Sequence, residues 1–517
     1  MKKPLLSELT LREKIGQTGC ISSGALVGNK TRKELIERNC FGALWVTGDQ
    51  DFMKDYMSYE NGNFGHKPTV EEANNWVKEI IPLFKLPPLL PSDGETGIGG
   101  SRLGMSYVTK ALGYFQGGEK GVELFEKSAE LVGDEFRAAT LNWIFAPVCD
   151  VVKGRLAKES LREYPEDYSL TADMTSGYIK GMQSRGVAAC IKHFPSPGPE
   201  ESRNTHISPS SNDMSLEEWM STQGAIYQRA IDEGVMTIMS GHTSFPAVDD
   251  TLMRPRVHIP SSLSRKVLVG LLKEKMGFKG VVVTDDLSMR AARLHYNEEN
   301  LFVEYLKAGN DLLLGIIDPN YTDIIEKAVL EGRLSEERIN DACQRILDLK
   351  EKLGMFDDDY QYTVPLADDH FERLEKHNLE ASKIAIVEEI NTSMPFKNVK
   401  KVGIVIQKDA PESSYIHFKS TLEERGIEVE VKERLLYIDD LPNFVKDKDI
   451  IVYFLNDAYE HTTVRWMLTE EYKKSVIVAI ASPTFYEETA VDAENFLHIY
   501  SNLRETQIEL ANRIVGE

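Results

Sequence analysis

The 517-residue chain is poor in cysteine, in positive charge and in long apolar runs, and each shortage removes a class of function. Its five cysteines (Cys20, Cys40, Cys149, Cys190 and Cys343) form an odd, scattered set without disulfide-framework or paired metal-ligand spacing, so they read as buried thiols in a reducing cytoplasm. A metal site is not expected either: His242 has no second histidine at ligand spacing, and no His-Glu-x-x-His signature occurs. Sixty basic against 82 acidic side chains leave a net charge of -22, a field that repels phosphate backbones and anionic membranes, so no nucleic-acid or membrane partner is expected. No run of roughly 18 apolar residues exists to span a bilayer. Met1-Lys2-Lys3 passes into Pro4 and the polar Ser7-Glu8 without the apolar core of a secretory signal, which again points to the cytoplasm. Gly97-Ile98-Gly99-Gly100 lacks dinucleotide-binding spacing and reads as a loop, and no cofactor is expected.

What the chain has is a hydrophobic content of 42% and a regular alternation of short apolar runs with stretches of helical period. Candidate strands lie at Gly42 to Val46, Pro88 to Ser92, Trp143 to Val148, Ala188 to Ile191, Val235 to Met239, Gly280 to Thr284 and Asp311 to Leu314. Polar residues stand just past several of their ends: Asp93, Asp150, Lys192 with His193, His242 and Asp285. One rim collecting such groups is the arrangement of a (β/α)8 TIM-type barrel, although an open doubly wound sheet places polar groups the same way. A helix capped by Ser335 and closed by Gly354 ends this region, giving a catalytic barrel over residues 1–355. Residues 356–380 are acidic, broken by Pro365, and read as a linker. Apolar runs at Val402 to Ile406, Val429 to Val431, Ile450 to Leu455, Val476 to Ala481 and Leu497 to Tyr500 make residues 381–517 a smaller α/β sandwich domain.

The run Val281-Val282-Val283-Thr284-Asp285-Asp286 carries a buried strand into two carboxylates. Neighbours on a strand point oppositely, so Asp285 faces the pocket while Asp286 reads as the N-cap of a helix running through Leu287-Ser288-Met289-Arg290. Ile191 to Ser208 leaves another strand with Lys192 and His193 at its lip and continues as a Pro- and Gly-rich loop that contains His206. A loop histidine is ordinarily just solvated. Between strand ends, however, an imidazole can supply a proton opposite a carboxylate, the pairing a retaining glycosidase needs.

Lys192-His193-Phe194-Pro195 with Asn204-Thr205-His206, together with Gly280 to Met289, resembles glycoside hydrolase family 3, in its bacterial β-N-acetylglucosaminidase branch. Glu13 to Gln17, Phe145 to Val151 and Ala308-Gly309-Asn310-Asp311 extend the resemblance over the whole barrel, while Met394-Pro395-Phe396-Lys397 matches the family's C-terminal sandwich domain more weakly. The resemblance implies that Asp285 is the nucleophile and His206 the general acid/base. It also implies that Asp93, Arg162, Lys192 and His193 bind the hydroxyls of a terminal β-linked amino sugar. Simpler roles stand beside these: Arg162 pairing with Glu163 or Glu166, and Lys192 neutralising Asp150.

The departures from the family pattern fall at the pocket. Asn204 stands where relatives have an aspartate that orients and charges the loop histidine; Ser196-Pro197-Gly198 replaces Gly-His-Gly; and Asp93-Gly94-Glu95-Thr96-Gly97-Ile98 lacks an expected arginine. Two alternatives therefore remain. One is a family 3 β-glucosidase or β-xylosidase with a C-terminal-domain acid such as Glu412, Glu460 or Glu487. The other is a sugar-binding homologue without turnover.

Overall fold

The computed structural model describes residues 2–23, 32–46, 69–99, 105–153, 163–201, 203, 205–206, 208–293, 298–407, 412–434, 441–455, 475–480, 494–501 and 503–516. The chain divides into two compact units, the first made of Met1–Tyr107, Glu126–Lys158 and Glu163–Asp368, the second of Val108–Phe125, Glu159–Arg162 and Asp369–Glu517. No helix among the described residues is long and apolar enough to cross a membrane.

In the first unit eight parallel strands form a closed ring: β1 (Gly19–Ser22), β2 (Ala43–Trp45), β3 (Pro91–Ser92), β4 (Trp143–Ile144), β5 (Ala188–Phe194), β6 (Thr237–Ser240), β7 (Val281–Thr284) and β8 (Leu313–Ile316). Two isolated parallel bridges, Ala43 with Leu89 and Val283 with Leu312, join the arcs of the ring, and β8 pairs with β1 through Leu313 and Gly19. Closure settles the choice in favour of a (β/α)8 barrel over an open sheet. Its interior follows from strand periodicity. Trp143 and Phe145, Ala188 and Cys190, Val281 and Val283, and Leu312 and Leu314 are pairs two residues apart that share one buried cluster with Cys20, Ala43, Leu89 and Met239. The helix Glu336–Lys352 joins that cluster through Ile346 and Leu349. Ser335 caps it, its side chain accepting the Arg338 N–H, and Gly354 follows in the left-handed region at φ 70°.

Seven of the eight strands lie where the apolar runs predict them. The exception is β1, whose four residues Gly-Cys-Ile-Ser carry little apolar signal.

The second unit holds a six-stranded sheet of β9 (Ile386–Asn391), β10 (Lys401–Gln407), β11 (Glu428–Arg434), β12 (Ile450–Leu455), β13 (Ser475–Ala479) and β14 (Asn495–Ile499) in the order β9-β14-β13-β12-β10-β11. Only the β9–β14 pair is antiparallel among these strands. One face packs Ile404, Val452, Val478 and Leu497 against Phe418, Leu422, Leu510 and Ile514 from two helices. The other face packs Val405, Ile451 and Tyr453 against Phe444 and Val445, so the sheet is covered on both sides as an α/β sandwich.

Candidate active site

The parity that buries Val281 and Val283 in the barrel sends Asp285, two residues further on, to the same side at the C-terminal mouth. The Asp285 N–H donates to the Ser240 carbonyl at 3.0 Å, which ties the end of β7 to β6. One Asp285 carboxylate oxygen accepts the Asp286 N–H at 2.8 Å. Asp286 points the other way, but not as a helix cap: the next helix starts only at Arg290, and the Asp286 carboxylate instead accepts the Ser288 N–H at 2.8 Å and the Ser288 hydroxyl at 2.6 Å within the intervening turn. Gly315, at φ 80°, makes room for it, since a Cβ there would lie 2.3 Å from Asp286 Oδ1.

Burial alone would raise the Asp285 pKa. The fields of His193 and His242, the Asp286 N–H and the Lys192 charge outweigh it and hold the carboxyl below the ordinary aspartate range. Asp285 is therefore an anion at neutral pH.

Lys192 shares the inward parity of Ala188 and Cys190 on β5 and is 4% exposed. Its ammonium lies 2.7 Å from Glu95 Oε1 and 3.7 Å from Asp93 Oδ1. The reading of Lys192 as a partner of Asp150 is thus corrected, because a different acid two residues past Asp93 reaches it across the mouth. Asp150 instead takes His193. Its carboxylate accepts the His193 backbone N–H at 3.2 Å and stands 2.7 Å from Nδ1. Burial pushes the Asp150 pKa up, but the His193 imidazole, the Ser196 hydroxyl and the His193 N–H bring it below the usual value, so an ionised, acceptor-only carboxylate fixes the proton on Nδ1. The register of β5 with β6 shifts between Ile191 and Phe194, and both rim residues fall within that irregularity.

The loop after β5 is pinned at its base. The Trp219 indole N–H donates to the Pro195 carbonyl at 2.8 Å, Asn212 Nδ2 to the Ser196 carbonyl at 3.1 Å, and Gln223 Nε2 to the Pro197 carbonyl at 3.0 Å. Ser196 adopts φ 75°, the left-handed conformation a glycine would take without strain, and is fully buried beside Tyr227. Further along, Glu201 accepts the Ser211 N–H at 2.8 Å and the Arg203 N–H at 2.9 Å, and it ion-pairs with the Arg203 guanidinium. His206 stands half-buried in a turn between these two anchored stretches. Asn204 and Arg162 lie outside the described residues, as do Glu460, Glu487 and the side chain of Glu412.

The structure therefore brings Asp93, Lys192, His193 and Asp285 to one mouth, adds Glu95 there, and shows Glu201 anchoring the loop that carries His206. The signal for Glu95 is its place two residues beyond Asp93 after a strand end. For Glu201 there is none short of the loop's own hydrogen bonds.

The sequence profile of the glycosyl hydrolase family 3 N-terminal domain matches residues 10–349. The chain belongs to this family. Among curated relatives, a β-N-acetylglucosaminidase/β-glucosidase of Cellulomonas fimi is 34% identical over 236 residues, 44% of this chain and 41% of that protein. A β-hexosaminidase of Stenotrophomonas maltophilia is 30% identical over 215 residues, 42% of this chain and 61% of that one. These alignments span less than two thirds of each relative's length. In fold, the chain is similar to a family 3 β-N-acetylglucosaminidase of a Paenibacillus species, with TM-score 0.82 and 22% identity over 98% of this chain and 96% of that one. A β-glucoside phosphorylase superposes with TM-score 0.84 and 21% identity over 99% and 93% of the two chains.

Proposed function

We propose that the protein is a retaining exo-glycosidase that releases a terminal β-linked N-acetylglucosamine or a related amino sugar, with Asp285 as nucleophile and His206 as general acid/base. The observation that carries this reading is the Asp285 carboxylate itself: ionised, aimed across the barrel mouth, and held by a backbone N–H beside Lys192 and His193. Such a group can attack an anomeric carbon. In the first step a bond forms from Asp285 to that carbon, the glycosidic bond breaks, and the leaving oxygen takes the proton from the His206 imidazolium. In the second, His206 draws a proton from water, whose oxygen displaces Asp285 and restores the β configuration. Lys192, His193, Asp93 and Arg162 bind the ring hydroxyls, where charged partners reject sugars that lack them.

The names of the relatives favour an amino sugar, and that of the Cellulomonas protein adds glucosides as a second substrate class. The substrate would be a carbohydrate of cell-wall or chitin type. Five free thiols, four of them buried, support placing the activity in a reducing cytoplasm.

The test is release of aryl alcohol from aryl N-acetyl-β-glucosaminide and aryl β-glucoside by the wild type and by Asp285→Asn. We expect turnover of the amino sugar and a loss of at least about a thousandfold in the variant. Equal rates in both proteins remove Asp285 from the mechanism. Sugar-dependent thermal stabilisation without product identifies a binding protein. Repeating the assay in phosphate buffer separates hydrolysis from phosphorolysis, the activity named for one fold neighbour.

A further inference from the structure

One buried histidine at the barrel mouth has no part in this scheme. His242 follows β6 by two residues and is 5% exposed. Its Nδ1 lies 2.8 Å from the Ser262 hydroxyl and 3.4 Å from the Tyr305 hydroxyl, while Nε2 lies 3.4 Å from the carbonyl oxygen of Asp286. Tyr305 also packs edge-on against the ring at 5.9 Å. A carbonyl oxygen only accepts, so Nε2 carries the proton; Nδ1 then offers its lone pair to two hydroxyls that can each donate. Both ring nitrogens are satisfied with the imidazole neutral.

Burial favours the same state, lowering the His242 pKa. The Asp285 and Asp286 charges and the Asp286 carbonyl on the β7 turn pull the other way, while His193 from β5 adds to the lowering. The ring touches the one turn on which the carboxylate depends. The Asp285 N–H is already bonded to Ser240, the Asp286 N–H closes on Asp285, and Ser288 holds the Asp286 carboxylate. What His242 adds is a hold on the peptide between Asp286 and Leu287, delivered from the neighbouring strand.

We propose that His242 is a positioning residue for Asp285: as the Nε2–H tautomer, oriented by Ser262 and Tyr305, it fixes the Asp285–Asp286 turn so that the carboxylate is held in line with the anomeric carbon. This inference rests on the reading of Asp285 as nucleophile and concerns the formation of the glycosyl-enzyme bond.

The experiment follows covalent labelling of the full-length protein by a fluorinated N-acetylglucosaminyl fluoride, with the modified residue located by peptide mass spectrometry. In the wild type the label is expected on Asp285. In His242→Phe, which keeps a flat ring but no donor, the maximal labelling rate should fall about tenfold or more with little change in the reagent's half-saturation, since displacement of a reacting group is felt in the chemical step. His242→Gln, whose amide nitrogen can reach the same carbonyl, should recover most of that rate. Ser262→Ala should slow labelling in the same direction and add little when combined with His242→Phe.

Label on Asp285 at an unchanged rate in a folded His242→Phe overturns the inference and leaves the nucleophile in place. So does a loss confined to half-saturation, or a Gln variant as slow as Phe. Should His242→Phe not fold, a wild-type rate in Ser262→Ala overturns it equally. A wild type that is labelled elsewhere, or not at all, instead overturns the reading of Asp285 on which the inference stands.

Discussion

Lys192 carries its charge at 4% exposure, and a desolvated ammonium is tolerated only where anions compensate it. Glu95 at 2.7 Å and Asp93 at 3.7 Å are the nearest carboxylates to it, so the cation is aimed before any sugar arrives. Glu95→Gln keeps the size and removes the charge. Lys192 should then turn toward Asp93 and compete with the sugar hydroxyls both residues are proposed to bind. We expect KM for the aryl amino sugar to rise about tenfold while kcat changes less, in line with about 1.5–3 kcal/mol for a hydrogen bond to a charged group. Steady-state kinetics measures both, and an unchanged KM would assign Glu95 a purely structural role. This pair also marks how far single residues are legible. Asp285 is found from the alternation of Val281 and Val283 alone. Glu95 stands two residues beyond Asp93, which puts it on the same side of the strand end, but its pairing with Lys192 is a contact across the mouth between β3 and β5 that local spacing does not encode.

Elements were legible where their own residues supply the signal. Strand β7 is four buried β-branched residues, and the helix Glu336–Lys352 announces itself by its Ser335 cap and its stripe of Ile339, Ala342, Ile346 and Leu349. β1 and β9 were not legible: β1 borrows its stability from flanking strands, and β9 is an edge strand with exposed Glu388 and Glu389 at its centre. The same helix buries Lys350 completely, with its ammonium nitrogen 2.6 Å from Gln17 Oε1. Burial pushes the Lys350 pKa down to about 7, against a small opposing effect of Cys343. Unfolded, the same lysine keeps its proton to about pH 10.4. Between the two values the unfolded chain binds more protons, so stability rises with pH by up to about 1.4 kcal/mol per unit. Urea midpoints at pH 7, 8 and 9 should therefore show a steeper rise for the wild type than for Lys350→Met. Parallel slopes would mean the ammonium stays charged in the fold.

At the scale of the whole molecule the two sheets meet water differently. The barrel has no edge, whereas the six-stranded sheet ends in β9 and β11, each paired on one side only among the described strands. Both edges are guarded by charge. Glu388 and Glu389 lie on β9, and Glu428, Glu430 and Glu433 are exposed on β11. Replacing Glu428 and Glu433 with threonine and valine should leave the thermal midpoint nearly unchanged, since a surface pair such as Glu428 with Lys401 contributes about 0–1 kcal/mol. Concentration-dependent self-association should appear by light scattering. A variant that stays dispersed at high concentration would show that covering helices, not charge, protect these edges.

Ring closure also sets a timetable. β1 finds one neighbour, β2, soon after synthesis, but its other, β8, comes only near the end of the barrel sequence. Until the ribosome has delivered residues 313–316, β7 has a vacant flank and the peptide that carries Asp285 lacks the Leu312 carbonyl its own strand binds. Nascent chains stalled before that point should hold the acids that follow β3 without the proposed nucleophile in place, so on this reading chemistry arrives last.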